Sequence, residues 1–154
     1  MQDTTLRQAI TDDAAAIRRL TRAAYAKWVP LIGREPRPMT ADYGKAVRDH
    51  RFDLLEINGK LIALIETVIQ ADHLLIENIA VDPAHQGRGF GRFLIAQTEQ
   101  RAASSGLCEV RLYTNQRFAE NIRLYIGLGY RIGSEEKIGD GIVVVHMHKS
   151  LSGG

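Results

Sequence analysis

The stretch Gln86-Gly87-Arg88-Gly89-Phe90-Gly91 lies between an apolar run that ends at Val81 and a helical pattern that begins near Phe90. Its three glycines alternate over six residues, so the backbone can turn tightly and approach a ligand with no Cβ in the way. The helix that follows leaves its first N–H groups unpaired and places the positive end of its dipole there. The segment therefore predicts a loop that binds a phosphate or a pyrophosphate.

The glycine spacing distinguishes between the known kinds of phosphate loop. A dinucleotide-binding loop requires G-x-G-x-x-G, but the sixth position counted from Gly87 is Arg92. A P-loop requires G-x-x-x-x-G-K, which this segment also lacks. The pattern Q/R-x-x-G-x-G/A does fit, with Gln86, Gly89 and Gly91 at its defined positions. At this point the chain resembles the GCN5-related N-acetyltransferases (GNAT family), whose loop of this pattern holds the pyrophosphate of acetyl-CoA. For the segment taken alone, a plain strand-to-helix turn is the alternative.

Length and composition favour one ordinary globular domain. The chain has 154 residues, of which 45% are hydrophobic and 25% charged, and this composition is typical of a soluble protein with its own core. We expect a single domain over 1–154, with a flexible tail at 151–154. The net charge is +2 and no long basic tract occurs, which argues against nucleic-acid binding.

The cysteine count and the apolar runs bear on the compartment. Cys108 is the only cysteine, so neither an internal disulfide nor a thiolate metal cluster can form, and we expect it to pack in the core. No uncharged apolar run approaches the roughly 20 residues of a membrane span, and the N-terminus does not resemble a signal peptide. A cytoplasmic protein without membrane contact is expected.

Hydrophobic periodicity predicts the element order β, α, α, β, β, β, α, β, α, β, β. Thr11 and Thr40 are expected to cap the first two helices, the segment 28–39 is expected to be an irregular loop, and Asn58-Gly59 predicts a tight hairpin. The predicted strands cover residues 4–10, 52–57, 61–70, 73–81, 108–114, 130–136 and 142–149, and the predicted helices cover 11–28, 40–49, 90–105 and 118–128.

This element order is that of the GNAT family, so the resemblance extends over nearly the whole chain. It implies an α/β fold of the GNAT type, with a mixed, mostly antiparallel central sheet of about seven strands and helices on both faces. It also implies that the strand before the loop, with a bulge at Asn78, offers backbone groups to acetyl-CoA. The acetyl-CoA-binding residues implied are Ile79, Ala80, Val81, Gln86, Gly87, Arg88, Gly89, Phe90, Gly91, Arg92 and Asn121. For Arg88 and Arg92, solvated positions at the helix end are the alternative.

Two residues are candidates for acid and base chemistry. The segment from Asn121 to Tyr125, followed by Gly129-Tyr130, resembles a second family motif, which makes Tyr125 the general acid that protonates the leaving thiolate. Glu77 interrupts an apolar strand, where burial would raise its pKa toward the range of a base. The alternatives are a core tyrosine and, for Glu77, an ion-paired or wet carboxylate; Glu66 is a weaker candidate base.

The resemblance implies direct attack of a deprotonated amine on acetyl-CoA within a ternary complex. It places the acceptor near Trp28, Arg34, Met39, Tyr43 and Tyr113. The arginine suggests an acidic amine or amino acid, while a peptide N-terminus, a polyamine and an antibiotic stay open. A non-catalytic acyl-CoA-binding or sensor domain is the second interpretation, and a phosphate-ligand enzyme of another α/β family is the third.

Two features of the last predicted strand bear on metal binding and assembly. His146 and His148 are two residues apart, but no third ligand has a recognisable spacing, so no metal site is expected. The strand is also apolar, which would suit the edge of a homodimer.

Overall fold

The structure, a computed structural model, describes residues 3–151; most of the expected flexible tail lies outside them. The described part contains seven strands, six α-helices and three short 3-10 helices. The strands are β1 Thr4–Gln8, β2 Arg51–Ile57, β3 Lys60–Ile69, β4 Leu74–Val81, β5 Glu109–Asn115, β6 Arg131–Lys137 and β7 Val143–Ser150. The helices are α1 Ala14–Tyr25, α2 Val29–Ile32, α3 Arg37–Thr40, α4 Tyr43–Asp49, α5 Phe90–Ser104 and α6 Ala119–Gly127.

The strands form one sheet in the order β1-β2-β3-β4-β5-β7-β6. β4 and β5 pair in parallel, whereas β1–β2, β2–β3, β5–β7 and β6–β7 pair antiparallel. The prediction of a mixed, mostly antiparallel sheet is therefore confirmed. The expectation that the last strand forms an edge is wrong, because β7 lies between β5 and β6, and the argument for a homodimer through that edge falls with it.

By its internal contacts the chain separates into two compact units. Within the described residues, the first unit comprises 3–68 and 78–95, and the second comprises 69–77 and 96–151. The expectation of a single domain stays a prediction.

The core of the first unit forms on the apolar face of α1. Ile17, Leu20 and Ala24 recur at three and four residues and are buried, as the periodicity predicts. They pack in one cluster with Tyr43, Phe52, Leu54, Leu64 and Ala80. Burial of each large apolar side chain contributes about 1.5–3 kcal/mol, so this cluster is a main source of the unit's stability.

The predicted hairpin between β2 and β3 is confirmed. Asn58 and Gly59 both have positive φ, at 51° and 81°. Two consecutive left-handed residues define the type I′ turn, whose twist matches that of the strands it joins.

The helix starts differ from the prediction because aspartates, not threonines, directly precede α1 and α4, although only the second one bonds to an amide of its helix. Asp13 accepts a hydrogen bond from the Ile10 N–H (2.8 Å), and the Arg7 guanidinium beside it lowers the pKa of this carboxyl. Asp42 accepts from the Lys45 N–H (3.1 Å) and caps α4. The expected caps at Thr11 and Thr40 are therefore wrong by two residues each.

The segment 28–39 is not an irregular loop, since it contains the single-turn helices α2 and α3. Pro30 and Pro38 each lie in a first helical turn, where the missing N–H removes no intrahelical bond. Gly33, at φ 75°, ends α2. Prolines in this segment therefore start helices and do not exclude them.

The core of the second unit forms on one face of β5 and β7. Val110 and Leu112 are buried on β5, as are Val145 and Met147 on β7. Leu112 lies directly opposite Met147, so both strands turn the same face inward. Cys108 lies outside β5 and is exposed, which corrects its expected place in the core.

Two backbone hydrogen bonds join the segment of β3 to the segment of β4. Between these two bonds, the β4 segment is one residue longer than the β3 segment. The Gln70 N–H donates to the His73 carbonyl, and the Asp82 N–H donates to the Ile62 carbonyl, both at 2.8 Å. Nine steps along the chain separate His73 from Asp82, but only eight separate Ile62 from Gln70. An extra residue of this kind is what a β-bulge inserts, and the position of the bulge at Asn78 stays a prediction.

None of the helices in the described part combines the length and the hydropathy that a membrane span requires. Across residues 3–151, no group of three or more His, Cys, Asp or Glu side chains is placed to hold a metal ion.

Candidate active site

The glycine loop of the first unit has the backbone conformation that its sequence predicts. Gly87 and Gly89 have φ of 80° and 88°, values that only glycine adopts without strain. A Cβ at either position would meet nothing within 4 Å, so the requirement is conformational and the space above the loop is open. The first intrahelical bond of α5 runs from the Phe93 N–H to the Gly89 carbonyl (3.0 Å). The preceding amides of the helix can therefore bind an anion.

Gln86 joins this loop to two other elements of the first unit. Its Nε2 donates to the Val81 carbonyl (3.1 Å) at the end of β4. Its Oε1 accepts from Lys27 Nζ (3.3 Å), which lies just after α1 and over the Trp28 ring at 4.9 Å. Lys27 was not predicted from the sequence, because it lies 59 residues from Gln86 and no motif contains it. It brings a positive charge to the loop.

The remaining residues of the loop segment are exposed or pack on β4. The side chains of Arg88 and Arg92 are exposed, and neither forms an ion pair within the described residues. Gly91 lies against Ile79 and Val81, since a Cβ there would be 3.9 Å from Ile79 Cδ1. The ring of the half-buried Phe90 lies 6.3 Å from that of His85.

The end of β4 presents main-chain groups at the edge opposite to β3. The Asp82 N–H bonds to Ile62 of β3. Successive residues of a strand direct their N–H and C=O groups to opposite edges, so those of Ile79 and Val81 point away from β3. The Tyr25 hydroxyl donates to the Ile79 carbonyl (3.2 Å) and to Asn78 Oδ1 (2.9 Å). Ala80 is buried, so its side chain belongs to the core.

Most of the residues predicted to line the acceptor lie in the core of the first unit. Trp28, Met39 and Tyr43 are buried, at 8%, 4% and 3% exposure. The Tyr43 hydroxyl donates to the Pro38 carbonyl (2.6 Å), and burial raises the pKa of this phenol. Arg34 is exposed. A binding role for these residues stays a prediction.

The two candidate bases have different environments. Glu77, in the second unit, is half-buried and accepts a hydrogen bond from the Tyr113 hydroxyl (2.8 Å). Tyr113 was expected near the acceptor, and the structure makes it the partner of the candidate base. Glu66, in the first unit, is buried and lies 2.6 Å from His50 Nδ1. Glu77 is therefore the more accessible carboxylate.

Tyr125 lies on α6 in a buried position of the second unit. It is 5% exposed, and burial raises its pKa to about 12. Its ring meets that of Tyr130 edge-on, with centroids 6.1 Å apart. Asn121 precedes it by one helical turn and is half-buried. The phenol therefore stays protonated at neutral pH, as a proton donor must.

Tyr130 has polar partners that the sequence did not reveal. Its hydroxyl donates to Glu99 Oε2 (2.8 Å), and Lys149 Nζ donates to Glu99 Oε1 (3.0 Å). These hydrogen bonds link Glu99 of α5 and Lys149 of β7 to Tyr130, whose ring packs on Tyr125. The three residues therefore support the position of the candidate acid.

A cavity of about 620 Å³ opens on the second unit, over β5, β6 and β7. Its volume falls in the range of small-molecule sites. The polar residues that line it are His73, Glu109, Arg111, Tyr113, Ser134, His146 and His148.

Comparison with known proteins identifies the family. The sequence model of the acetyltransferase (GNAT) family matches residues 15–130, which include the glycine loop and Tyr125. The chain belongs to the GNAT family. The family match covers most of the chain and agrees with both the fold and the motif resemblance.

Curated relatives match this GNAT chain over shorter stretches. The ribosomal protein bS18-alanine N-acetyltransferase of Escherichia coli (strain K12) is 34% identical over 73 residues, which are 47% of this chain and 49% of that protein. The mycothiol acetyltransferase of Kocuria rhizophila is 42% identical over 52 residues, which are 34% of this chain and 17% of that protein. The chain thus matches less than half the length of either relative.

A solved structure shows the shared GNAT fold over nearly the full length. The crystal structure of the ribosomal-protein-S18-alanine N-acetyltransferase from Escherichia coli superposes with a TM-score of 0.80 at 23% identity. The superposition covers 99% of this chain and 96% of that one. The predicted GNAT-type fold is confirmed.

Proposed function

We propose that this GNAT protein is an acetyl-CoA-dependent N-acetyltransferase that transfers an acetyl group to a primary amine. The observation that carries the proposal is the main-chain arrangement of the first unit. Gly87 and Gly89 adopt positive φ directly before the N-terminus of a 15-residue helix, and this arrangement suits a pyrophosphate. The Escherichia coli relative, named for the acetylation of an alanine amine, supports the same reaction.

The residues of the first unit that would hold acetyl-CoA are of three kinds. The first amides of α5 would bind the pyrophosphate, with added charge from Arg88, Arg92 and Lys27. The main chain of Ile79 and Val81 would pair with the amide groups of the pantetheine arm, as an added strand does. Gln86 would fix the loop, since it already bonds to the Val81 carbonyl.

The side chains of the second unit would supply the proton transfers. Glu77 would take a proton from the incoming ammonium, and the resulting amine would attack the acetyl carbon. The C–N bond would form as the C–S bond breaks, and the Tyr125 hydroxyl would give its proton to the departing sulfur. The attacking nitrogen would then lose its second proton, through water, to the Tyr125 phenolate, and Glu77 would release the first proton to solvent, which leaves the amide and the free CoA thiol. The raised pKa of Tyr125 suits a donor, and the Tyr113 hydrogen bond orients the Glu77 carboxylate.

The test is acetyl-CoA binding by calorimetry, with Gly89→Val compared with Gly106→Val. Both glycines have positive φ in open space, and they flank the two ends of α5, so both variants carry similar backbone strain. We expect Gly89→Val alone to raise the dissociation constant by about 10- to 100-fold, the value of one or two hydrogen bonds to a charged group. Equal binding by both variants, or none by the wild type, would contradict the proposal.

Release of free thiol from acetyl-CoA with a panel of amines distinguishes the enzyme from a binding module. A transferase releases CoA only when a suitable amine is present. Tight acetyl-CoA binding without thiol release across a broad panel would instead support a non-catalytic acyl-CoA-binding domain.

A further inference from the structure

The face of the sheet that lines the cavity of the second unit carries more carboxylates than cations. Tyr113 lies directly opposite His146, and His146 opposite Ser134, so their side chains share this face. The charged residues on this face, or bonded to the cavity lining, are the acidic Asp72, Glu77, Glu109 and Glu136 and the basic Arg111 and Arg131. The side chains on this face and around the cavity therefore include four carboxylates and two guanidinium groups, although the charged lining residues themselves, Glu109 and Arg111, compensate each other.

The two basic residues lie toward one end of the cavity. Arg111 bonds to Glu109 through its Nε, and its Nη2 lies 3.7 Å from Asp72. Arg111 also lies opposite His148, which in turn lies opposite Arg131. At this end the carboxylates and the guanidinium groups largely compensate each other.

Beside the other end of the cavity lie two carboxylates that bond to lining residues and that no fixed cation compensates. Glu77 accepts from the Tyr113 hydroxyl (2.8 Å), and Glu136 lies 3.0 Å from His146 Nε2. Within residues 69–77 and 96–151, neither carboxylate forms an ion pair with a lysine or an arginine. These groups attract cations, and both are open to solvent in part.

The separation of these carboxylates sets the length of a ligand that can reach both. Glu77 is on β4 and Glu136 on β6, and β5 and β7 lie between them. Strands are spaced about 4.8 Å apart, which gives roughly 10–15 Å between the two side chains. An extended aliphatic chain of about ten atoms spans that distance, at about 1.2 Å per bond.

We propose that the cavity binds a linear polyamine, with one amine at Glu77 and a second ammonium group at Glu136. This inference rests on the proposed function, because it makes the amine at Glu77 the acetyl acceptor. It names a cationic substrate class, in contrast to the acidic acceptor that Arg34 suggests.

The matched pair Glu136→Gln and Glu135→Gln tests the assignment. Glu135 is adjacent on β6, but it points to the opposite face, where its Oε1 lies 3.3 Å from Gln116 Nε2. Each variant removes one negative charge from the same strand, so the change in the net charge of the protein is the same in both. Only Glu136→Gln removes a charge that is bonded to a lining residue of the cavity, His146.

The probe is spermidine, a triamine of suitable length, titrated by calorimetry with and without CoA, which carries no acetyl group to transfer. We expect Glu136→Gln to raise its dissociation constant by about 3- to 5-fold, as for a partly exposed ion pair. We expect Glu135→Gln to leave it unchanged. Binding of 1,4-diaminobutane, which is too short to reach Glu136, should be the same in all three proteins.

The outcomes separate this inference from the proposed function. Acetyl-CoA binding without spermidine binding, or an equal effect of both variants, would overturn the polyamine assignment and leave the acetyltransferase proposal standing. Spermidine binding that depends on Glu136, without acetyl-CoA binding, would support the cavity assignment and overturn the acetyltransferase proposal.

Discussion

The glycine-loop region of the first unit is built from main-chain groups, whereas the cavity region of the second unit is built from side chains. In the first, the groups proposed to face the ligand are amides of α5 and the strand edge at Ile79 and Val81. In the second unit, the proposed groups are the Glu77 carboxylate, which bonds to the cavity residue Tyr113, and the Tyr125 phenol, which is buried on α6. Main-chain donors do not depend on side-chain identity, so the first region suits the invariant part of a cosubstrate. Side chains can vary, so the second suits a particular acceptor.

This difference predicts the largest effect for Tyr125→Phe. If the hydroxyl protonates the departing sulfur, its removal should lower kcat by about 10²–10⁴-fold, because the interaction is needed in the transition state. Acetyl-CoA affinity should stay the same, since the main-chain region is intact. Steady-state kinetics and calorimetry on the same protein measure the two quantities.

Tyr130→Phe is the control for Tyr125→Phe. It removes a hydroxyl from the neighbouring ring, which is bonded to Glu99 and not assigned to chemistry. We expect lower stability and a smaller change in kcat. If both variants turn over at the wild-type rate while chemistry limits turnover, the side-chain region is not catalytic.

A smaller effect, about 10²-fold in kcat, is expected for Glu77→Gln. This carboxylate is half-buried, so water can replace part of its role as a base. The amide keeps the size of the side chain and can still accept from Tyr113. Acetyl-CoA binding by calorimetry should not change. Unaltered turnover at neutral pH would place the base elsewhere.

The smallest effect concerns stability at high pH. The Tyr125 phenol has a pKa of about 12 in the folded state and an ordinary value of 10.0 when unfolded, because burial disfavours its charged form. The stabilisation is therefore complete below about pH 10 and is lost as the pH rises through about 12. Between about pH 9 and pH 11, urea unfolding should show a loss of roughly 1–2 kcal/mol.

Tyr43 and Tyr130 also have raised pKa values, so the wild type alone does not isolate this contribution. The Tyr125→Phe variant lacks the titrating group and should lose that much less stability over the same interval. Identical pH dependence in the two proteins would mean that the phenol is more hydrated than its burial indicates.

The same contrast explains what the sequence could predict. The glycine loop, the Asn58-Gly59 turn and the apolar face of α1 are local patterns, since the residues that decide them lie within one or two turns of each other. The hydrogen bond between Tyr113 and Glu77 joins residues 36 apart, and that between Lys27 and Gln86 joins residues 59 apart. Such contacts depend on the order of the strands in the sheet. This order was not predicted correctly, because β7 was expected at an edge and lies inside the sheet.

The position of β7 has a consequence for synthesis on the ribosome. β7 is translated after both strands that flank it, and in the sheet it alone joins β6 to the rest. Until β7 has emerged, β5 lacks its antiparallel neighbour and β6 has no strand to pair with. The first unit can collapse during translation, but the sheet of the second unit cannot be completed until β7 is synthesised. During that interval its unpaired strands can bind chaperones or associate incorrectly with other chains.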